Sequence, residues 1–208
     1  MYHLKNSLLF RLITSQQGAM FGLDARVALA IFAILSSTAG YIGFSKVRKA
    51  RDASALHAIE SISKALQEYQ KDMGNFALFT VDTPSDSNNI EILWDITKVA
   101  PNYQKYWNGP YLQDDSTDHN VYGTFAVRYR QSDYTTACTT NNADDCYSWI
   151  ILDGVPARTW ATINNYVDAS YGTALETAGN EHNEGRIRAD GTTDPRTIYY
   201  RAISRLNR

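Results

Sequence analysis

Four groups of residues in this 208-residue chain have types and spacing that could do chemistry: two cysteines, four histidines, two acidic loops and one acid beside an apolar run. Cys138 and Cys146 flank the turn-forming segment Thr-Thr-Asn-Asn-Ala-Asp-Asp. In an oxidising compartment that spacing reads as one small disulfide closing a surface loop, a reading that depends on export. No CxxC pair or clustered His supports zinc. His3, His57, His119 and His182 are scattered, and none stands beside a nucleophile and an orienting acid. With no GxSxG, HExxH, P-loop or GxGxxG, the chain is not expected to be an enzyme. The loops 114–120 (DDSTDHN) and 142–145 (NADD) offer the oxygen ligands that calcium takes, but neither completes an EF-hand. The simpler reading is solvated polar loops, so no cofactor is expected, calcium being the one ion these oxygens would suit. Asp24 is different. A carboxylate at the edge of an apolar span is costly and calls for a partner.

Composition narrows the class. Hydrophobic residues make up 44% of the chain, enough for a folded core rather than a disordered segment. The net charge is −2, and residues 1–19 carry Lys5 and Arg11 without an acid, so losing them would leave −4. That balance argues against a surface built for nucleic acid, and no nucleic-acid partner is expected. The length suits one membrane segment and one globular domain of about 130 residues.

The elements that must position these groups begin with the run 27–44 (VALAIFAILSSTAGYIGF), which carries no charge. Within it, Ser36/Gly40 and Ala39/Gly43 have the small-xxx-small spacing that lets helices approach closely. The helical pattern continues through 45–51 into an amphipathic stretch ending near Met73. A helix of roughly 50 residues would be ~75 Å long. From residue 53 onward, Leu56, Ile59, Ile62, Leu66, Tyr69 and Met73 recur at spacings of three and four and form one stripe. Something must cover it, most simply a sheet, and Gly74 supplies the stop.

Farther on, 122–130 (YGTFAVRYR) and 147–152 (YSWIIL) read as an antiparallel pair joined by the cysteine loop. Asp153-Gly154-Val155-Pro156 reads as a turn. Residues 157–167 predict a short helix with Trp160, Ile163 and Val167 on one face. The polar stretch 173–184 reads as a loop, and 185–189 with 197–204 as a last hairpin around Asp190-Gly191. Trp94, Trp107, Trp149 and Trp160 are read as packing residues rather than a ligand platform. The fold class is therefore α+β: a long N-terminal helix over about 24–74, packed through its C-terminal half on an antiparallel sheet, with a short additional helix.

Residues 1–51 admit a cleaved secretory signal with a small-residue site near Ser37-Thr38-Ala39, or a signal anchor. Lys46, Arg48, Lys49 and Arg51 follow the span, while Lys5, Arg11 and Arg26 precede it. A positive-inside count would therefore leave the C-terminal domain in the cytoplasm. A third reading overrides it. The residues Gly18-Ala19-Met20-Phe21-Gly22-Leu23-Asp24 resemble the processing site of type IV prepilins, and those of the type IVb branch most. That family has a small residue before the cut, Met or Phe first in the mature chain and an acid fifth. A cut after Ala19 makes Met20 first and Asp24 fifth. The match departs from the family in two ways, Ala for the usual Gly before the cut and Asp for the usual Glu. A cut after Gly18 would make Asp24 sixth.

Two further motifs fall in the family's order. The stretch 69–76 (YQKDMGNF) is similar to the end of the long helix in pilins and type II secretion pseudopilins, and 107–112 (WNGPYL) to the element that opens their sheet region. The passage from Gly154-Val155-Pro156 through Asp168 to Gly185-Arg186-Ile187-Arg188 resembles a C-terminal pattern of some pilin-like proteins.

The resemblance implies a pilin-like fold divided into a cleaved leader 1–19, a transmembrane and assembly half-helix 20–51 and a globular domain 52–208. It assigns Gly18, Ala19 and Met20 to processing, and Asp24, with Phe21 and Leu23, to assembly contacts. There the Asp24 carboxylate would meet the free α-amine of a neighbouring subunit; Arg26 competes for it along the chain. The implied partners are a prepilin peptidase, the inner membrane, and self or other pilin subunits in a pilus or pseudopilus. The implied location is the bacterial inner membrane, then an extracellular or periplasmic filament. The alternative is a secreted or membrane-anchored binding module that never polymerises.

Overall fold

The computed structural model describes residues 22–74, 89–136, 138, 146–168, 185–190 and 193–204. Gly18, Ala19, Met20 and Phe21 lie outside the described residues, as do 75–76 of the helix-end motif, the 142–145 acidic loop and the polar stretch 173–184. The chain divides into two compact units, Met1–Arg48 and Lys49–Arg208.

Helix α1 spans Leu23–Met73, one residue from the expected bounds at each end. Gly74 follows with φ +68°, and its N–H returns to the Gln70 carbonyl at 2.9 Å, the left-handed stop read from the sequence. Within the second unit the buried face of α1 comprises Asp52, Ala55, Ile59, Ile62, Ser63, Ala65, Leu66, Tyr69, Gln70 and Met73. This is a wider stripe than the apolar positions alone mark out, and Leu56 lies at its margin, half-buried. The sheet is not its only cover. Ile90, Ile92 and Leu93, from a 3₁₀ turn over Ile90–Leu93, share the core with it.

Four strands are described: β1 Phe125–Gln131, β2 Cys146–Val155, β3 Ile187–Ala189 and β4 Arg196–Ser204. They form one sheet in the order β1-β2-β4-β3, with every neighbouring pair antiparallel. Alternation sorts the two faces. Phe125 and Val127 of β1, Ile150 and Leu152 of β2, Ile187 and Ala189 of β3, and Ile198 and Tyr200 of β4 all enter the core. Register joins them in rows, Val127 to Ile150 to Tyr200 to Ile187 and Phe125 to Leu152 to Ile198 to Ala189.

Helix α2, Ala157–Asp168, adds Trp160 and Ile163 to the same core, and Val167 packs at its edge. Both of its ends are tied by carboxylates. Asp194 accepts the Ala157 N–H at 2.8 Å, at the end where the helix dipole favours an anion. At the other end, buried Asp168 accepts the N–H groups of Arg186 and Ile187. Asp168 and the Arg186-Ile187 backbone, named in one passage of the sequence with no contact expected between them, therefore meet in space.

Two sequence readings are corrected. The first strand begins at Phe125 rather than residue 122, because the Gly123 N–H bonds the Asp153 carbonyl at 2.8 Å and the chain turns there. Asp153-Gly154-Val155 is not a turn but the end of β2. Gly154 takes φ +73° in a register shift between Leu152 and Val155, which delivers Val155 to the core. The Cys138–Cys146 disulfide is formed, and the strands on either side of its loop pair as expected. All four tryptophans pack: Trp149 and Trp160 are buried, and Trp94 and Trp107 lie against the core.

Candidate assembly site

In the first unit, α1 is bare. Eleven large apolar side chains between Leu23 and Val47 are exposed, among them Leu29, Phe32, Leu35 and Phe44. Soluble monomers rarely expose contiguous apolar patches beyond a few hundred Å². This segment is long and apolar enough to cross a membrane. Its polar residues suit apolar surroundings. Ser37 donates to the Ile34 carbonyl at 2.8 Å, and Thr38 to those of Ile34 and Leu35 at 3.0 and 2.9 Å. Hydroxyls satisfied within their own helix need nothing from lipid. Nothing approaches within 4 Å of a side chain built at Gly40 or Gly43, so another helix could come close along that side.

Leu23 opens the helix and is 78% exposed. Asp24 lies in the first turn with its side chain in the open. A carboxylate there also complements the helix dipole, so its position has a local explanation as well as a functional one. These two are the described members of the proposed assembly set.

The second unit holds its part of α1 by polar clamps near both ends. Asp52, 8% exposed, accepts from Thr159 Oγ1 of α2 at 2.8 Å and from Tyr122 Oη at 3.3 Å. Beside it, His119 lies equally buried, stacked on Tyr122 and edge-on to Phe125. Its Nδ1 accepts the N–H groups of Val121 and Tyr122, both at 3.2 Å, and its other nitrogen bonds the Ser54 backbone of α1. Burial holds the His119 pKa below the usual imidazole value.

At the far end, Asp72 accepts from Tyr111 Oη at 2.9 Å, while that oxygen accepts the Asn108 N–H. The Tyr111 ring meets Tyr69 and Trp107 edge-on, at 5.5 and 5.7 Å between centroids. Trp107 Nε1 donates to the Ile92 carbonyl at 3.0 Å. Gly109 passes between these rings; a Cβ there would stand 2.5 Å from Trp107 and 2.9 Å from Tyr111. Burial raises the Tyr111 pKa to about 12, so the phenol stays a donor to Asp72 at any physiological pH. The helix-end motif and the WNGPYL motif are thus two halves of one lock.

The sequence reading missed Asp52, Thr159 and Tyr122. A signal was present: the helical stripe, run back one turn from Ala55 and Leu56, lands on Asp52. An acid on an apolar stripe calls for buried donors. The acidic loop 114–120 gathers no metal site, and among the described residues no group of three or more His, Cys, Asp or Glu could hold one. Asp114 instead accepts the Ser116 N–H, and Ser116 Oγ the Asp118 N–H.

Fold and site together define an α+β protein in which one helix carries a bare, membrane-length apolar segment and a segment locked into a sheet domain. No protein-family model, curated protein or solved structure matches the chain.

Proposed function

We propose that this chain is a type IV pilin-like subunit that waits in the bacterial inner membrane and then assembles into a pilus or pseudopilus through the first half of α1. A prepilin peptidase cuts between Ala19 and Met20, within the Gly18-Ala19-Met20 site. The apolar segment then leaves lipid for the filament core, where like segments bury one another's surface. Asp24, with Phe21 and Leu23 beside it, registers one subunit against the next through the α-amine freed by the cut. The product is an extracellular or periplasmic filament, and the work is structural rather than catalytic.

The observation that carries this reading is the contrast within α1, bare over Leu23–Val47 and locked over Asp52–Met73. A signal peptide removed near Gly40 would have no need for helical continuity into the domain. The test is the mature N-terminus. Mass spectrometry should find Met20 first, N-methylated, and a start near Gly40 would sink the proposal in favour of a secreted binding module. In the same cells Asp24→Ala should abolish or strongly reduce pelletable filaments while the domain stays folded. Normal filaments from that variant would remove the registration role.

A further inference from the structure

Between Asp24 and Asp52, helix α1 carries no acid. Within that stretch Lys46, Arg48, Lys49 and Arg51 follow directly on the uncharged run 27–44, and all four are exposed. At 3.6 residues per turn they stand at about 0°, 200°, 300° and 140° around the axis. They therefore ring the helix. A stripe meant for one protein neighbour would keep to one side, whereas a collar suits a medium that surrounds the helix.

The collar is not neutralised from within the chain. Among the described residues none of the four bases forms an ion pair. Asp52, the next acid on α1, is buried and accepts from Thr159 and Tyr122. Glu60 comes about 13 Å of helix after Arg51. Asp114 and Asp118 line the groove that α1 borders from Ser54 to Glu68, where His57 and Lys64 stand with them. At the start of the run, Arg26 lies two residues from Asp24, so base and acid there offset each other. The two ends of the run thus differ in charge.

Depth identifies what the collar meets. The run 27–44 is about 27 Å long as a helix, close to the ~30 Å of bilayer hydrocarbon. The four bases begin about 3 Å beyond Phe44 and end about 10 Å beyond it. The headgroup layer on each side of the hydrocarbon is about 5–7 Å thick. Helical side chains lean toward the N-terminus, and long bases snorkel, so even Arg51 reaches back to the level of the lipid phosphates.

We propose that the Lys46-Arg48-Lys49-Arg51 collar binds anionic lipid headgroups in the leaflet where the apolar run ends. It selects lipids of net negative charge over zwitterionic ones. The proposal rests on the membrane step of the function proposed above and is independent of the filament step. Each base held at an anionic surface gives about a fivefold preference, and salt screens it.

The test reconstitutes the full chain in nanodiscs of phosphatidylcholine and phosphatidylglycerol in equal parts. Native mass spectrometry then identifies the lipids that stay on the released chain. Retained phosphatidylglycerol should exceed phosphatidylcholine about fivefold or more. With Lys46→Gln, Arg48→Gln, Lys49→Gln and Arg51→Gln combined, the ratio should fall to near one. Lys46→Arg with Lys49→Arg should keep the parent ratio, since charge is what is recognised. Arg26→Gln should leave it within about twofold. All these positions are exposed, so the urea midpoint of the domain should stay unchanged in each variant. A ratio near one in the parent chain, or one that survives the quadruple change, would overturn the proposal. So would a quadruple change that leaves the lipid ratio alone and separates dimers into monomers, which would give the collar to a second copy. A full chain that enters no disc and stays soluble without detergent would overturn the membrane step as well.

Discussion

The two halves of α1 share a backbone and little else. Over 27–44 the side chains carry no charge and the large apolar ones stand exposed, whereas over Asp52–Met73 a stripe is buried and the remainder is more exposed. A helix that is hydrophobic all round belongs in lipid or in a bundle of its own kind, and an amphipathic one belongs on a domain surface. One element therefore presents two unlike surfaces. The division of labour follows from side chains alone, since nothing in the backbone distinguishes the halves.

The largest effect expected from testing that contrast comes from one substitution made twice. Leu66 is 0% exposed at the centre of the core, and Leu35 is 61% exposed. Leu66→Ala should cost the domain roughly 2–5 kcal/mol, the sum of lost transfer energy and a residual cavity. Leu35→Ala should change domain stability by no more than about 0.5 kcal/mol, as surface substitutions generally do. Urea unfolding of the full chain in detergent, followed by fluorescence of buried Trp149 and Trp160, measures both. Similar losses at the two positions would mean that the first half is packed on protein after all.

A smaller effect is expected at the clamp. Asp52→Ala removes the acceptor for Thr159 and Tyr122 and leaves the buried Thr159 hydroxyl and the half-buried Tyr122 hydroxyl to each other, at 3.3 Å. The expected loss is about 1–3 kcal/mol, the usual range when a buried hydrogen-bonding group loses its partner. Adding Thr159→Val should then cost less than it does in the parent chain, because the two side chains act through one bond. Strictly additive losses in that cycle would show that Asp52 and Thr159 are not coupled.

What was legible in the sequence is what periodicity and composition write locally. The bare run, the stripe, the glycine stop, the cysteine loop, the short helix and the last hairpin all depend on residues within one or two turns of each other. What was not legible depends on distance along the chain. Asp52 meets Thr159 across 107 residues, and Asp72 meets Tyr111 across 39. The motifs containing Asp72 and Tyr111 were each visible, but not that they close on one another. Asp153-Gly154-Val155-Pro156 has the residues of a turn, yet burial of Val155 keeps it in the sheet. There tertiary packing outweighs local preference, as it commonly does for strands.

The smallest expected effect concerns pH, and it acts on the locked half only. His119 has both nitrogens engaged: Nδ1 accepts from two backbone N–H groups, and the other holds Ser54 of α1. Protonation would set a third N–H against the first two, so the folded protein keeps this imidazole neutral. His57, Lys64, Glu68, Asp114 and Asp118 line the groove of about 530 Å³ that borders it. Burial holds its folded pKa below the ordinary 6.5. As pH falls through about 6.5 the unfolded chain therefore takes up the proton first, and stability declines until the folded histidine is protonated too. Above that range both states are neutral and the term is flat. The urea midpoint should accordingly fall between pH 7 and pH 5. In His119→Gln, whose amide oxygen can still accept a backbone N–H, that part of the decline should disappear. An unchanged slope in the variant would assign the pH dependence to the groove's other groups, and would mean that His119 does not tie the 119–123 loop to α1 as a neutral acceptor.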